Sequence, residues 1–544
     1  MAFEVKEKDL LAKIGKLKTK SGTVETPLLF PVINPVVQPI PPRKIREMGF
    51  EALITNAYIL QKRFQNKPAE EGLHKFLGYE GVIMTDSGAY QILVYGDIKA
   101  TPKEIVEYQE RIGTDIATIL DLPTGWKVSE KSAERTVKET LQRAKELFKL
   151  RTREDILWVG PVQGGKYLRL VAESAIKMSR LPFDIYALGS PTEVMERYRF
   201  DVLVDMIMTA KMNLPINKPL HLFGAGHPMM FSLAVALGCD LFDSAAYAIY
   251  ARENRYMTEA GTWKLNELEY FPCTCPKCSA RTPKEILEEP KKEREAFLAE
   301  HNLYVCLSEL KRIKQAIRDG RLWEHLEMRA HGHPFLLQAI KKLRLYETFI
   351  EKQAPTVKKS GLFFYSSLEL SRPEVVRHRM RMAERYSKPE GVRVLLLLPM
   401  TQTKPFHKAE EVKETLKLIA NNFKHGIDKI HVCVYAAPFG VIPIELDEVY
   451  PLSQHETVFP PDKETREYVA SQVGEYIRRM SYEAVLLFND EENWDKTVLS
   501  VCRKVCLERK VRFKNFDAKK RRDKAVVAWL KEVLVNRVEK IDSG

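Results

Sequence analysis

Three aspartates stand at the ends of apolar runs in the first half of the chain. Asp86 closes Met84-Thr85-Asp86-Ser87-Gly88-Ala89-Tyr90-Gln91, Asp121 closes Leu120-Asp121-Leu122-Pro123, and Asp243 closes Leu241-Phe242-Asp243-Ser244-Ala245. A carboxylate at the end of a buried run is costly unless it emerges at the mouth of a barrel or is paired. Three on one mouth would form a convergent acidic site. Paired carboxylates are what exchange at a glycosidic bond requires, one as nucleophile and one to move protons. Taken singly, each could equally be a strand-end cap or a turn residue. Glycines recur at similar places: Gln163-Gly164-Gly165, Gly189-Ser190 and Gly224-Ala225-Gly226. Glycine lets backbone approach a planar ligand closely, although tight βα turns would use it too. Tyr90 and Phe223 flank these positions and could sandwich a base or belong to the core.

Metal chemistry is the second signal. Cys273-x-Cys275-x2-Cys278 places three of the eight cysteines in one short loop. A structural zinc takes four N or S ligands in a tetrahedron. The fourth must come from elsewhere, and His301 is the nearest downstream histidine. It lies in Glu295–Leu310, which reads as a helix that could aim its ring at the loop. A redox cluster or unliganded thiols are the bland alternatives.

The elements that must position these residues follow from the hydropathy pattern. Short apolar runs end in polar or glycine residues and are followed by amphipathic, charge-rich stretches. The runs are Thr26–Val32, Ala52–Asn56, Val82–Asp86, Ile116–Asp121, Ile156–Gln163, Asp184–Gly189, Leu220–Gly224 and Asp240–Asp243. Strand then helix, repeated in this way, predicts an α/β fold of the (β/α)8 barrel type, with chemistry at the C-terminal ends of the strands. Periodicity alone leaves an open doubly wound sheet standing. The cysteine loop interrupts the rhythm as an inserted zinc-binding subdomain at 273–301. The expected boundaries are 1–350 for the barrel and 361–544 for a smaller α/β accessory region. In that region Val392–Leu398, Lys429–Tyr435 and Ala484–Phe488 read as strands and Ala409–Asn421 as a helix.

Bulk properties set the bounds. The chain has 544 residues, with 86 Lys and Arg against 73 Asp and Glu. A modest basic excess suits a polyanionic partner without demanding one. Lys504–Lys540 carries 13 basic residues against 5 acidic ones, including Lys519-Lys520-Arg521-Arg522. Such a run is a solvated face or an RNA-contacting surface. No apolar run has the length of a membrane span, and the N-terminus lacks a secretory pattern, so the cytoplasm is the expected compartment. No dinucleotide or P-loop fingerprint is present.

The order of Asp86-Ser87-Gly88-Ala89-Tyr90-Gln91, Val162-Gln163-Gly164-Gly165, Asp243-Ser244-Ala245-Ala246-Tyr247 and Cys273-x-Cys275-x2-Cys278…His301 closely resembles the tRNA-guanine transglycosylase family over about Phe3 to Leu345. His221-Leu222-Phe223-Gly224-Ala225-Gly226-His227-Pro228 and Arg255-Tyr256-Met257-Thr258 look like its archaeal branch. The resemblance implies a pentosyltransferase built on a zinc-bearing (β/α)8 barrel. In it Asp243 would be the nucleophile at ribose C1′ and Asp86 the general acid/base. Asp121, Gln163 and the Gly189 backbone would recognise the base, with Ser87 beside it and Tyr90 and Phe223 as stacking walls. Cys273, Cys275, Cys278 and His301 would hold one structural Zn2+ per chain.

The archaeal branch acts on guanine 15 of the tRNA D-arm and inserts 7-cyano-7-deazaguanine (preQ0) on the way to archaeosine. The implied partners are tRNA, the free base and guanine, a second copy of the chain, and no membrane. Two departures stand out. Ser190 follows Gly189 where bacterial members carry a second glycine. The stretch Arg393–Glu445 resembles the accessory domain shared with archaeosine synthase, whose Pro-Cys…Lys-Pro-Tyr pattern here reads Pro399-Met400…Lys404-Pro405-Phe406. Past Asp517 the pattern reads as a helix over Lys519–Val538 and not as the PUA domain common in this branch, so a PUA-domain protein in trans is a possible partner. The competing readings are an archaeosine synthase-like paralogue and a non-catalytic tRNA-binding subunit.

Overall fold

The computed structural model describes residues 2–89, 91, 100–423, 426–521 and 523–535. It divides into two units, Met1–Pro355 and Thr356–Gly544.

The first unit opens with an antiparallel sheet of β1 (Phe3–Asp9), β2 (Ala12–Lys18) and β3 (Thr23–Glu25). Its strands alternate charged and apolar residues, so a search for continuous apolar runs passes over them. The barrel strands follow: β4 (Leu28–Ile33), β5 (Ala52–Asn56), β6 (Val82–Asp86), β7 (Ile116–Thr118), β8 (Leu157–Val162), β9 (Ile185–Leu188), β10 (Leu220–Leu222) and β11 (Leu241–Ser244). They form a closed barrel in that order. Parallel pairing of β11 with β4, Asp243 opposite Phe30, closes the ring. Closure excludes the open doubly wound sheet and confirms the barrel expected from the apolar runs.

Strand parity explains where the polar residues go. Leu28 and Phe30, Ala52 and Ile54, Val82 and Met84, Val159, Ile185 and Ala187, and Leu241 pack into one buried cluster, the barrel interior. Successive side chains alternate between faces. The next residues of the same parity are Asn56, Asp86, Gly189 and Asp243. The filled barrel ends where these polar groups begin, at the C-terminal edge of the strands.

After β11 the chain makes a short hairpin, β12 (Arg255–Met257) with β13 (Thr262–Lys264). The cysteine loop and the 29-residue helix Lys291–Asp319 follow.

The second unit is built on a five-stranded sheet. Its strands are β15 (Val394–Pro399), β16 (Ile430–Ala436), β17 (Gly440–Pro443), β19 (Ala484–Asn489) and β20 (Arg512–Asp517), in the order β17-β16-β15-β19-β20. Only β17 runs antiparallel to its neighbour. The remaining strands, β14 (Leu362–Phe364) and β18 (His455–Thr457), form a separate parallel pair. The C-terminal stretch differs from its sequence reading. Arg512–Asp517 is an edge strand, Ala518–Lys520 a single 3-10 turn, and the last helix begins at Lys524. The basic cluster therefore lies on a turn. The Lys519 ammonium there pairs with Glu492 at 2.8 Å and Arg521 is half-buried, while Arg522 lies outside the described residues. Among the described residues, no helix is long and apolar enough to cross a membrane.

Candidate active site and metal-binding cluster

The three aspartates meet at one end of the barrel. Each is held by a donor from a neighbouring strand or its following loop. Asn56, the last residue of β5, donates from Nδ2 to Asp86 Oδ2 at 2.8 Å, and its own Oδ1 caps the following helix at Ile59 N. Burial pushes the Asp86 carboxyl up to about 7, helped by the charges of Asp121 and Asp243. Burial likewise raises Asp121 to about 6, against a stabilising hydrogen bond from Gln163. Asp243 accepts from His221 Nε2 at 2.9 Å and from the Gly224 amide at 3.0 Å. Both bonds fall on Oδ1, which fixes the carboxylate plane without engaging Oδ2.

His221 was not singled out from the sequence as a site residue. It lies fully buried in β10, stacked on Phe30 at 5.8 Å and tilted against Phe223 at 4.8 Å. A lone histidine in an apolar strand reads as core, and only the fold reveals that it faces Asp243. Asn56 was missed for the same reason, since its partner is 30 residues away in β6.

Gln163 is tightly fixed. Its Nε2 faces Asp121 Oδ2, while Oε1 accepts from the Thr124 amide at 3.0 Å and from Ser190 Oγ at 3.1 Å. A Cβ on Gly189 would lie 2.2 Å from Gln163 Nε2, so a side chain there would displace the Gln163 amide from its bonds to Asp121 and Thr124. Ser87 is fully buried and its hydroxyl has no partner among the described residues. An unpaired buried hydroxyl is costly, which fits a group reserved for a ligand. Phe223 packs against the barrel interior beside His221. Tyr90 lies outside the described residues.

Cys273, Cys275, Cys278 and His301 offer ligand atoms within 4.8 Å of one another. Around a tetrahedral zinc, ligand atoms stand about 3.3–3.8 Å apart. The His301 Nδ1 atom is 3.3 Å from Cys278 Sγ and 3.6 Å from Cys275 Sγ. Its Nε2 donates to the Met257 carbonyl at 2.9 Å, which leaves the Nδ1 lone pair turned toward the sulfurs. That orientation is the one a ligating histidine needs. The Tyr256 ring stacks on His301 at 3.6 Å. Three thiols and one imidazole therefore fit a metal ion. Neighbouring Asn302 ties the cluster to the barrel: it accepts from the Met257 amide and donates to the carbonyl of Tyr247, in the helix after Asp243.

Comparison with known proteins resolves the family. Residues 8–335 match the family described as queuine tRNA-ribosyltransferase. The chain belongs to this family. Residues 375–534 match a domain of unknown function. Among the curated relatives, the tRNA-guanine(15) transglycosylase of Methanocaldococcus jannaschii is 45% identical over 88% of this chain and 72% of its own length. The protein of the same name from Saccharolobus solfataricus is 44% identical over 90% of this chain and 97% of its own length. That of Pyrobaculum aerophilum is 42% identical over 90% of this chain and 95% of its own. The family's barrel and its transferase activity thus apply to the unit that carries the three aspartates.

Proposed function

We propose that the chain exchanges guanine 15 of tRNA for 7-cyano-7-deazaguanine, a step toward archaeosine. The observation that carries this reading is the placement of Asp86 and Asp243 in one site, each held by a neighbouring strand, with the charge of Asp243 helping to raise the Asp86 carboxyl. Relatives with the guanine(15) name align along most of this chain, including one that it covers at 97% of its length.

The mechanism we propose uses this geometry. Asp243 Oδ2 attacks ribose C1′ while Oδ1 stays held by His221 and Gly224. The C1′–N9 bond breaks, its electron pair leaves with guanine, and protonated Asp86 supplies the proton that the departing base takes up. In the second displacement, the Asp86 carboxylate accepts the proton of the incoming base. The base nitrogen bonds to C1′, and the ester electrons return to Asp243. Two inversions give net retention. A carboxyl held at about 7 can serve both directions near neutral pH. The target base leaves its stack to enter the site, where Asp121 and Gln163 read its edge, Ser87 sits beside it, and Phe223 and Tyr90 stack on it.

Zinc is the ion we assign to Cys273, Cys275, Cys278 and His301. Four protein ligands leave it no open position, so its contribution is structural. Residues 361–544 are the accessory region that helps hold tRNA, and the compartment is the cytoplasm. A second copy of the chain and a PUA-domain protein in trans belong to the same reading. The synthase-like alternative is disfavoured by Met400 in place of a cysteine, and the non-catalytic one by the retained Asp86 and Asp243.

Exchange of radiolabelled guanine into guanine-15 tRNA is the test. The unmodified chain should incorporate label, and Asp243→Asn should reduce incorporation by about 10⁴-fold or more while tRNA binding persists. Near-normal exchange by Asp243→Asn would sink the assignment.

A further inference from the structure

In the second unit, three arginines follow one face of the helix Pro373–Glu384: Arg377, Arg381 and, just past its end, Arg385. Their spacing is i, i+4, i+8, so like charges repel across successive turns. Two ordinary reasons for such a row do not apply. Cations often serve a helix C-terminus, but this one is already capped by Arg479, whose Nη1 donates to the carbonyls of Ala383 and Tyr386. A carboxylate could neutralise the row, but Glu374 at the start of the helix is held by Lys358 at 2.9 Å and by Arg372 at 2.9 Å. Among the described residues, neither Arg381 nor Arg385 pairs with a carboxylate.

The row borders a cavity of about 280 Å³. Leu446, Val449 and Leu452, in the segment after β17, supply an apolar wall, and Tyr386 completes it. Tyr386 is held in place. Its hydroxyl donates to Glu445 and lies 3.2 Å from His431 Nε2, and its ring stacks on those of His431 and Tyr476 with centroids 6.4 Å away in each case. Arg381, Arg385 and Val449 are exposed, so the cavity opens to solvent. Guanidinium groups suit a phosphate, which they grip with paired N–H donors. A fixed aromatic ring beside an apolar wall suits a flat ring. The volume is at the small end of ordinary ligand cavities.

We propose that this cavity binds a nucleotide, with its phosphate on Arg381 and Arg385 and its base against Tyr386 and the apolar wall. The source is a nucleotide turned out of bound tRNA, an assignment that rests on the tRNA-modifying reading above. A free nucleotide has the same chemistry, and the test separates the two. Charge and shape act together: the arginines alone would hold any polyanion, and the apolar wall alone any flat ring.

The test compares the full unmodified chain with two variants. One is the double substitution Arg381→Gln, Arg385→Gln. The other is Val449→Trp, which fills the apolar side and leaves the arginines in place. All three positions are exposed, so melting temperatures should stay within about 2 °C of the parent. Calorimetry with guanine in excess, to keep the probe out of the barrel, reads the binding of AMP and of adenosine. AMP should bind the parent with a Kd below about 1 mM, and adenosine at least about 10-fold more weakly. Both variants should weaken AMP by about 10-fold or more. The Kd for tRNA should also rise about 10-fold in each, and the arginine variant should lower the slope of log affinity against log salt by about 1. Weakened tRNA binding identifies the occupant as a nucleotide of the RNA; weakened AMP binding with tRNA unaffected identifies a free one. The proposal is overturned if neither ligand is weakened by either variant. It is also overturned if only one variant has an effect, since that leaves a charged surface or an apolar one without a joint site. Failure of the transglycosylase reading shows separately, as no label incorporation by the unmodified chain while AMP still binds.

Discussion

In the barrel, β6 ends on Asp86 and β11 carries Asp243; in the five-stranded sheet of the second unit, β20 ends on Asp517 and β19 runs into Asp490. Both sheets are parallel over these strands and both bring acidic residues to the C-terminal edge. The partners differ. Asp490 accepts from the backbone and side chain of Asn493, and Asp517 from the amide of Lys519. These are caps within a few residues of the aspartate, the ordinary use of Asp at a turn. Asp86, Asp121 and Asp243 take donors 19 to 42 residues away, from Asn56, Gln163, His221 and Gly224, and Asp86 does so in addition to the Gly88 amide two residues on. A long-range partner at a strand end holds a carboxylate in position beyond what a local turn requires. Range of partnership, and not the strand-end aspartate itself, separates a site from a cap.

The strongest way to break this comparison is to remove one long-range partner. His221→Phe keeps the ring volume between Phe30 and Phe223 and deletes the donor to Asp243 Oδ1. A single preorganised donor at a reacting group is worth about 10²–10³ in rate. The kcat for guanine exchange should fall about 100-fold, with the KM for tRNA little changed. His221→Gln, which can place an N–H near the same spot, should recover much of the loss. If Phe and Gln lose activity equally, shape and not the hydrogen bond is what matters at this position.

The sequence made half of this contrast readable. Ala52–Asn56 and Val82–Asp86 carry uninterrupted apolar character up to a polar terminus, and both strands occupy those bounds. The cysteine spacing identified three of the clustered ligands, and the helix over His301 supplied the direction of the fourth. Whether a given aspartate is capped or converged upon was not readable, because Asp490-x2-Asn493 and Asp86-x4-Gln91 look alike as strings. Asn56 and His221 acquire their meaning only when β5 lies beside β6 and β10 beside β11. The strand Arg512–Asp517 mixes charged and aromatic residues on a sheet edge, where no continuous apolar run marks it, and the basic run Lys519-Lys520-Arg521-Arg522 carries no signal that places the helix start at Lys524 and not at Lys519.

Electrostatics sharpen the comparison next. Asp86 is raised from 3.8 to about 7 by burial and its acidic neighbours. Between those values the folded chain keeps a proton that the unfolded chain has released. Stability from this group is therefore complete below pH about 4 and lost as pH rises through about 7. Asp86→Asn cannot titrate, so its melting temperature should match the parent near pH 4 and exceed it at pH 8. A gain on the order of 1 kcal/mol would appear as about 2–4 °C. Parallel melting curves of parent and variant across this range would show that Asp86 ionises normally, which would remove its distinction from a capping aspartate.

The smallest effect is expected in the second unit. Asp490→Ala removes the bonds to Asn493 N and Nδ2 at the start of the short helix Glu491–Trp494. Loss of such a cap costs about 1 kcal/mol. The Asp490 amide would keep its bond to the Tyr435 hydroxyl, which also donates to the Phe488 carbonyl, so the strand end stays anchored. Thermal stability should drop slightly, and exchange at saturating tRNA should be unaffected. The two aspartates then differ in opposite directions: replacing the barrel residue stabilises at pH 8 and slows exchange by about 10²–10⁴-fold, the worth of a general acid/base, while replacing the sheet residue destabilises and spares it. A large loss of kcat in Asp490→Ala would mean that the second unit's strand ends take part in the chemistry, and that a short-range partner is no guide to a structural role.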